Sequence, residues 1–189
     1  MQSTQHISCS CHAMTWSLSD SAPGRHVVCY CTDCQSFARH LGHTEIFAPH
    51  NGTHIWQTVP EALQITGGLE HLRALRLSPK GLVRWYAGCC GTPIANTLAK
   101  PTVPFVGAIL PAPGDGFGPV KGHVNTAITR GAVKERGLHA AGGTILLRAV
   151  GALLRQKTRG SFFDEAGRPV RDPQVLTVAE RTAARDATA

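Results

Sequence analysis

Three cysteines stand at spacings of two and three in Val27-Val28-Cys29-Tyr30-Cys31-Thr32-Asp33-Cys34, and no other stretch constrains the fold as tightly. If residues 27–31 are extended, Cys29 and Cys31 point to one face. The chain then turns at Thr32-Asp33, and Cys34, in the first turn of a helix running toward Gly42, swings back to the same point. The positive end of that helix and its free N–H groups favour thiolate over thiol. Three converging thiolates with no fourth ligand beside them describe a zinc ion with one open position. Three buried reduced cysteines, or a local disulfide, are the alternative.

The chain has seven cysteines in 189 residues, grouped as pairs and a triplet rather than spread as a disulfide framework. That usage suits a reducing cytoplasm. The first residues show no basic segment followed by an apolar run, and no apolar stretch approaches the length that spans a bilayer. A membrane is therefore not an expected partner. Hydrophobic residues make up 42%, enough for one core, and 20 glycines with 12 prolines favour short strands over a helical bundle.

Along the chain, residues 7–18 alternate as a strand that sets Cys9 and Cys11 on one face. A turn at residues 20–24 pairs it back onto residues 25–31. Strands follow at 53–59, 62–66, 71–77, 82–86 and 102–110, divided by Pro60, Gly67-Gly68 and Ser78-Pro79-Lys80-Gly81. Between the last two, Gly88-Cys89-Cys90-Gly91 reads as a tight knuckle in which backbone wraps close to a metal. Adjacent cysteines on a strand face opposite ways, so only one is a comfortable ligand unless the knuckle turns sharply.

Residues 111–119 read as a linker or long loop, which divides the chain into a domain over 1–120 and an extension over 121–189. A helix is expected from Thr144 to Lys157, with a narrow polar stripe of Thr144, Arg148, Gly151 and Arg155 on an otherwise apolar surface. It docks on its own sheet or pairs two subunits. A short terminal helix is expected over residues 174–187. The net charge is +7: residues 1–120 hold seven Lys/Arg against six Asp/Glu, and residues 121–189 hold twelve against six. A basic extension admits a second reading, a non-enzymatic zinc module that binds nucleic acid or a protein partner. The basic residues share their segment with an apolar helix and lack interleaved aromatics, so nucleic acid is not the expected partner.

The order Cys-x-Cys, then Cys-x-Cys-x-x-Cys before Gln35 and a helix, then Cys90-Gly91-Thr92 resembles the glutathione-dependent formaldehyde-activating enzyme family, whose domain is shared with the centromere protein V-like proteins. The resemblance covers about residues 7 to 110. It implies a mainly β, α+β fold: a zinc-pinned antiparallel β-tent, here followed by a C-terminal helical extension. It also implies one or two zinc ions per chain. One would sit at Cys29, Cys31 and Cys34, and a structural one would be held by Cys9, Cys11 and Cys90. The resemblance places another cysteine where this chain has Ala87. Three alternatives stay open: Cys89 stands in for it, His12 does, or the structural site is weakened or empty.

The activity implied is cleavage or formation of a carbon–sulfur bond in an adduct of glutathione, or another small thiol, with formaldehyde or a related aldehyde. The chemistry agrees: three thiolates leave zinc a poor acidifier of water and a better host for a soft sulfur ligand. Gln35, Arg39 and His43 are the candidate substrate contacts, Arg39 through a carboxylate. Asp33 is expected to cap the helix, and His40 to face away from the metal.

Overall fold

A computed structural model describes residues 4–19, 24–111, 116–156 and 158–186. The turn expected at residues 20–24 lies almost wholly outside them, as do part of the 111–119 loop and Lys157. The strands are β1 (Thr4–Ser8), β2 (Thr15–Ser19), β3 (Arg25–Cys29), β4 (Phe47–Ala48), β5 (Gly52–Thr58), β6 (Leu63–Gly67), β7 (Leu72–Arg76), β8 (Val83–Ala87), β9 (Pro93–Thr97), β10 (Val106–Ile109), β11 (Gly122–Val124) and β12 (Gln174–Val175). The helices are α1 (Thr32–His40), α2 (Leu138–Leu154) and α3 (Val178–Asp186). The fold is mainly β, of the α+β class.

A small antiparallel sheet runs β1-β2-β6, and a large one runs β11-β3-β5-β10-β9-β8-β7-β12 with β4 beside β5. All pairs in the large sheet are antiparallel except the two at its edges, where β11 lies parallel to β3 and β12 parallel to β7. Both edge strands come from beyond residue 120. They cover backbone groups that would otherwise template pairing with another chain. The sheet thus takes in residues from both sides of the expected linker.

The main core lies between the two sheets. Trp16, Leu18, Leu63, Leu72, Val83, Trp85, Ile94 and Phe162 are buried there, and burial stabilises side chains of this size by roughly 1.5–3 kcal/mol each. Trp85 packs on Phe162 with ring centroids 4.9 Å apart and donates its indole N–H to Thr97 Oγ1 at 2.9 Å.

Several expectations are corrected. Residues 7–18 form two strands, not one: His12 takes a left-handed conformation and Cys9 N–H bonds Met14 C=O, so Cys9 and Cys11 sit in a turn. The second of those strands pairs with β1 and β6 rather than with residues 25–31. β3 is buried along most of its length and sits inside the large sheet, between β5 and β11. β9 was not anticipated, because Pro93-Ile94-Ala95-Asn96-Thr97 is buried throughout and shows no alternation; its proline occupies the first strand position, where a missing N–H is tolerated.

α2 begins six residues before Thr144, carrying through Gly142-Gly143. Its small residues Ala149 and Ala152 are buried, and half-buried Arg148 donates to Gln57 C=O at 2.9 Å, while Leu147 and Leu154 are 75% and 81% exposed. The expected polar stripe therefore faces the sheet in part. The terminal helix is shorter than expected, because Gln174–Val175 is a strand. α3 starts with a capping box in which Thr177 N–H donates to Glu180 Oε2 at 2.8 Å and Glu180 N–H to Thr177 Oγ1 at 3.2 Å. Among the described residues, no helix is long and apolar enough to cross a membrane.

Candidate metal centres

Two groups of cysteines lie close enough to hold a metal ion: Cys9, Cys11, Cys89 and Cys90, and separately Cys29, Cys31 and Cys34. Within each group the sulfurs lie within 4.8 Å of one another. All seven thiols are free.

The quartet joins two turns. Cys9 and Cys11 come from the β1–β2 turn, with Cys9 Sγ 3.6 Å from Cys11 Sγ and 3.7 Å from Cys89 Sγ. Cys89 and Cys90 come from the β8–β9 knuckle, which closes through Gly91 N–H to Ala87 C=O at 2.7 Å. Gly91 has φ +83°, and a Cβ there would lie 2.9 Å from Leu41 C=O, so the turn is sharp enough to bring both adjacent sulfurs to one side. Ala87 points into the core. The fourth sulfur is therefore Cys89, two residues further on. His12 instead pairs its Nδ1 with Ser8 Oγ at 3.0 Å. Burial raises the Cys90 thiol, but hydrogen bonds from Ser10 and Thr92 outweigh that and bring it to about 5. Four convergent sulfurs, with Thr92 and Met14 N–H bonded to them, are a closed soft donor set.

The triplet has the geometry that strand and helix periods imply. Cys29 ends β3, Cys31 caps α1 with its sulfur accepting from Cys34 N–H at 3.4 Å, and Cys34 lies in the first turn. The capping residue is thus Cys31, not Asp33. Asp33 reaches instead between Arg84 at 3.7 Å and Arg185 at 3.6 Å.

The thiols share protons. Cys34 donates to the other two and Cys29 donates to Cys31, so Cys31 is drawn down to about 2, first by Cys29 and then by Cys34. Cys29 is pushed up to about 11, chiefly by the bond to Cys31. Cys34 is pushed well up by its bonds to Cys29 and Cys31 and by burial. One thiolate and two thiols result. Among the described residues no fourth metal-ligating side chain joins them.

The triplet forms one wall of a cavity of about 220 Å³, with Ile55, Leu82, Phe105 and Val124 as apolar walls and Gln57, Arg84, Asn96 and Asn125 as polar ones. The parallel pairing Val124↔Cys29 carries Asn125 to the rim, where its Nδ2 donates to Cys29 Sγ at 3.4 Å. The segment beyond residue 120 thus closes over the triplet. Arg84 is buried, donates to Asn96 Oδ1 at 3.0 Å and stacks on Phe37.

A model of a family of unknown function, DUF6151, matches residues 1–151. The chain belongs to that family. The matched span takes in both cysteine groups, Arg84 and Asn125, and ends inside α2. No curated protein matches the chain.

In this DUF6151 chain the residues expected to touch substrate have other partners. Gln35 is buried, donating to Tyr30 C=O at 3.1 Å and accepting from Arg39 at 3.0 Å. Arg39 also lies over the Phe47 ring. His43 is seated at the quartet, its Nε2 bonded to Cys90 C=O at 2.8 Å and its Nδ1 to Glu45. The cavity residues Gln57, Arg84, Asn96 and Asn125 were not anticipated as site residues. Arg84 carried a signal, a lone charge inside the apolar run Leu82-Val83-Arg84-Trp85-Tyr86, whereas Asn125 reaches the triplet only through long-range strand pairing.

Proposed function

We propose that this chain is a zinc-dependent carbon–sulfur lyase that acts on adducts of a small thiol with an aldehyde. The observation that carries the reading is the asymmetry of the two cysteine groups: one offers four sulfurs, and the other offers three at the wall of a cavity. Cys9, Cys11, Cys89 and Cys90 would hold a structural zinc, and Cys29, Cys31 and Cys34 an open one. The all-sulfur donor sets fit zinc, and the resemblance to the formaldehyde-activating family supports the same assignment. When bound at the triplet, zinc supplies a Lewis acid with a position left for a soft sulfur.

The chain's own residues do the rest. The apolar walls exclude water, which strengthens each polar contact inside. Asn125, bonded to Cys29 Sγ, and the start of α1, bonded to Cys31 Sγ, orient the cysteine sulfurs. In a hemithioacetal, the hydroxyl proton leaves to a base, the carbon–oxygen bond becomes a carbonyl, and the carbon–sulfur electron pair departs with sulfur, giving thiolate and aldehyde. Asp33, a carboxylate that lines the cavity, accepts that proton. Free thiols throughout the chain support work in a reducing compartment.

The test is aldehyde release from formaldehyde adducts of glutathione and smaller thiols, followed with an aldehyde trap. Acceleration over buffer containing free zinc, lost in Cys31→Ser, is expected. No acceleration with any adduct would overturn the lyase reading.

A further inference from the structure

The registers of four adjacent strands place Gln57, Gly107, Asn96 and Arg84 in one row across the large sheet: Gln57 opposite Gly107, Gly107 opposite Asn96, and Asn96 opposite Arg84. Directly opposed residues share a face, and all four line the triplet cavity. Gly107 leaves a gap in the row. A Cβ there would meet Ile55 at 3.2 Å and the Phe105 ring at 3.4 Å, so the floor is already snug. Backbone positions of Gln57 and Arg84 are separated by three strand spacings of about 4.8 Å each, a span that two long side chains and one small molecule fill.

The two ends of the row differ in chemistry. Arg84 is a buried cation whose Asp33 contact is long at 3.7 Å, beyond ordinary hydrogen-bond length, and Asp33 is shared with Arg185. Asp33, half exposed and shared with Arg185, leaves the Arg84 guanidinium with donor capacity for an anionic oxygen. At the other end, Gln57 Oε1 is buried with no hydrogen-bond partner. Buried carbonyl oxygens are rarely left unpaired, so this one calls for a donor from the cavity. The third wall is the cysteine triplet.

We infer that the cavity takes a β-mercapto-α-amino acid of cysteine size, seated over Gly107 with its carboxylate on Arg84, its ammonium on Gln57 and its sulfur toward the triplet. This rests on the reading of the triplet as a thiol site and narrows it. The volume of about 220 Å³ lies below the roughly 300–1,000 Å³ of pockets that enclose drug-sized ligands, so a tripeptide thiol is not enclosed. The aldehyde adduct is then that of an amino-acid thiol.

The test titrates the full-length chain, loaded with cobalt as a visible substitute for zinc, with L-cysteine, cysteamine, 3-mercaptopropionate and glutathione. Metal content is measured after each titration. Cysteine should bind tightest. Loss of the carboxylate in cysteamine, or of the amine in 3-mercaptopropionate, should each weaken binding about tenfold, and glutathione should bind more weakly than cysteine. Gln57→Leu, at a half-buried position, should abolish the preference for cysteine over 3-mercaptopropionate and leave the latter's Kd unchanged. Glutathione binding as tightly as cysteine, or an unchanged preference in Gln57→Leu, overturns the inference while leaving the thiol-site reading intact. A cobalt spectrum that responds to none of the four overturns both.

Discussion

Asn125 donates its side-chain amide to the sulfur of Cys29 at 3.4 Å, joining residues 96 positions apart in sequence. The donor sits in a left-handed conformation just after β11, with φ 56°. The contact makes the segment beyond residue 120 part of the triplet centre. Asn125→Gly retains the backbone conformation and removes only the donor. Metal at the triplet should then bind about tenfold more weakly, as for other groups that orient metal ligands. Competition with a chromophoric chelator reads this out, and metal binding at the quartet should be unaffected.

Metal binding at the triplet should depend steeply on pH. Cys31 is already a thiolate, while Cys29 and Cys34 are raised above their ordinary values and hold protons at neutrality. Binding must displace those two protons, so affinity rises with pH. The slope should be about two log units per pH unit across the neutral range. Chelator competition at pH 6.5, 7.0 and 7.5 measures it, and a flat profile would mean that all three thiols are ionised before metal arrives.

Arg84 and Arg185 share Asp33 but differ in burial, and their removal should differ accordingly. Arg84→Ala strands the Asn96 carbonyl oxygen in the core and leaves a void over Phe37, a cost of about 2–4 kcal/mol. Arg185 is half exposed, and Arg185→Ala should cost less than about 1 kcal/mol. Urea midpoints of the two variants decide the matter.

Gly91 carries the knuckle. Gly91→Ala forces a side chain into a left-handed conformation and sets Cβ 2.9 Å from Leu41 C=O. A loss of about 1–3 kcal/mol is expected, together with release of the quartet metal at lower chelator concentration than in the unaltered chain.

Helix α2 offers a contrast between its two faces. Ala152→Leu overfills a fully buried position and should cost about 1–3 kcal/mol. Leu147→Glu changes a residue 75% exposed and should shift stability by no more than about 0.5 kcal/mol. Thermal melts of both variants locate the docked face.

The triplet was legible in the sequence because its geometry is local: a strand of period two feeds a helix whose first turn returns the third sulfur. The strands β5, β6, β7, β8 and β10 were legible from turn residues, but strand partners were not, since β2 and β3 enter different sheets through contacts far apart in the chain. Ala87 shows the same limit at the quartet. The expected spacing called for a cysteine there, while the backbone turn at Gly91 brings in Cys89, which spacing alone could not choose over His12. Gln57, Asn96 and Arg84 lie on three different strands, and only their registers make them one row.

The most direct measurement is zinc per chain by elemental analysis of the purified protein, beside Cys31→Ser and Cys90→Ser. Two zinc ions are expected, with one lost in each variant. One zinc, lost in Cys90→Ser and retained in Cys31→Ser, would contradict an open metal centre at the triplet, and no zinc would contradict both sites.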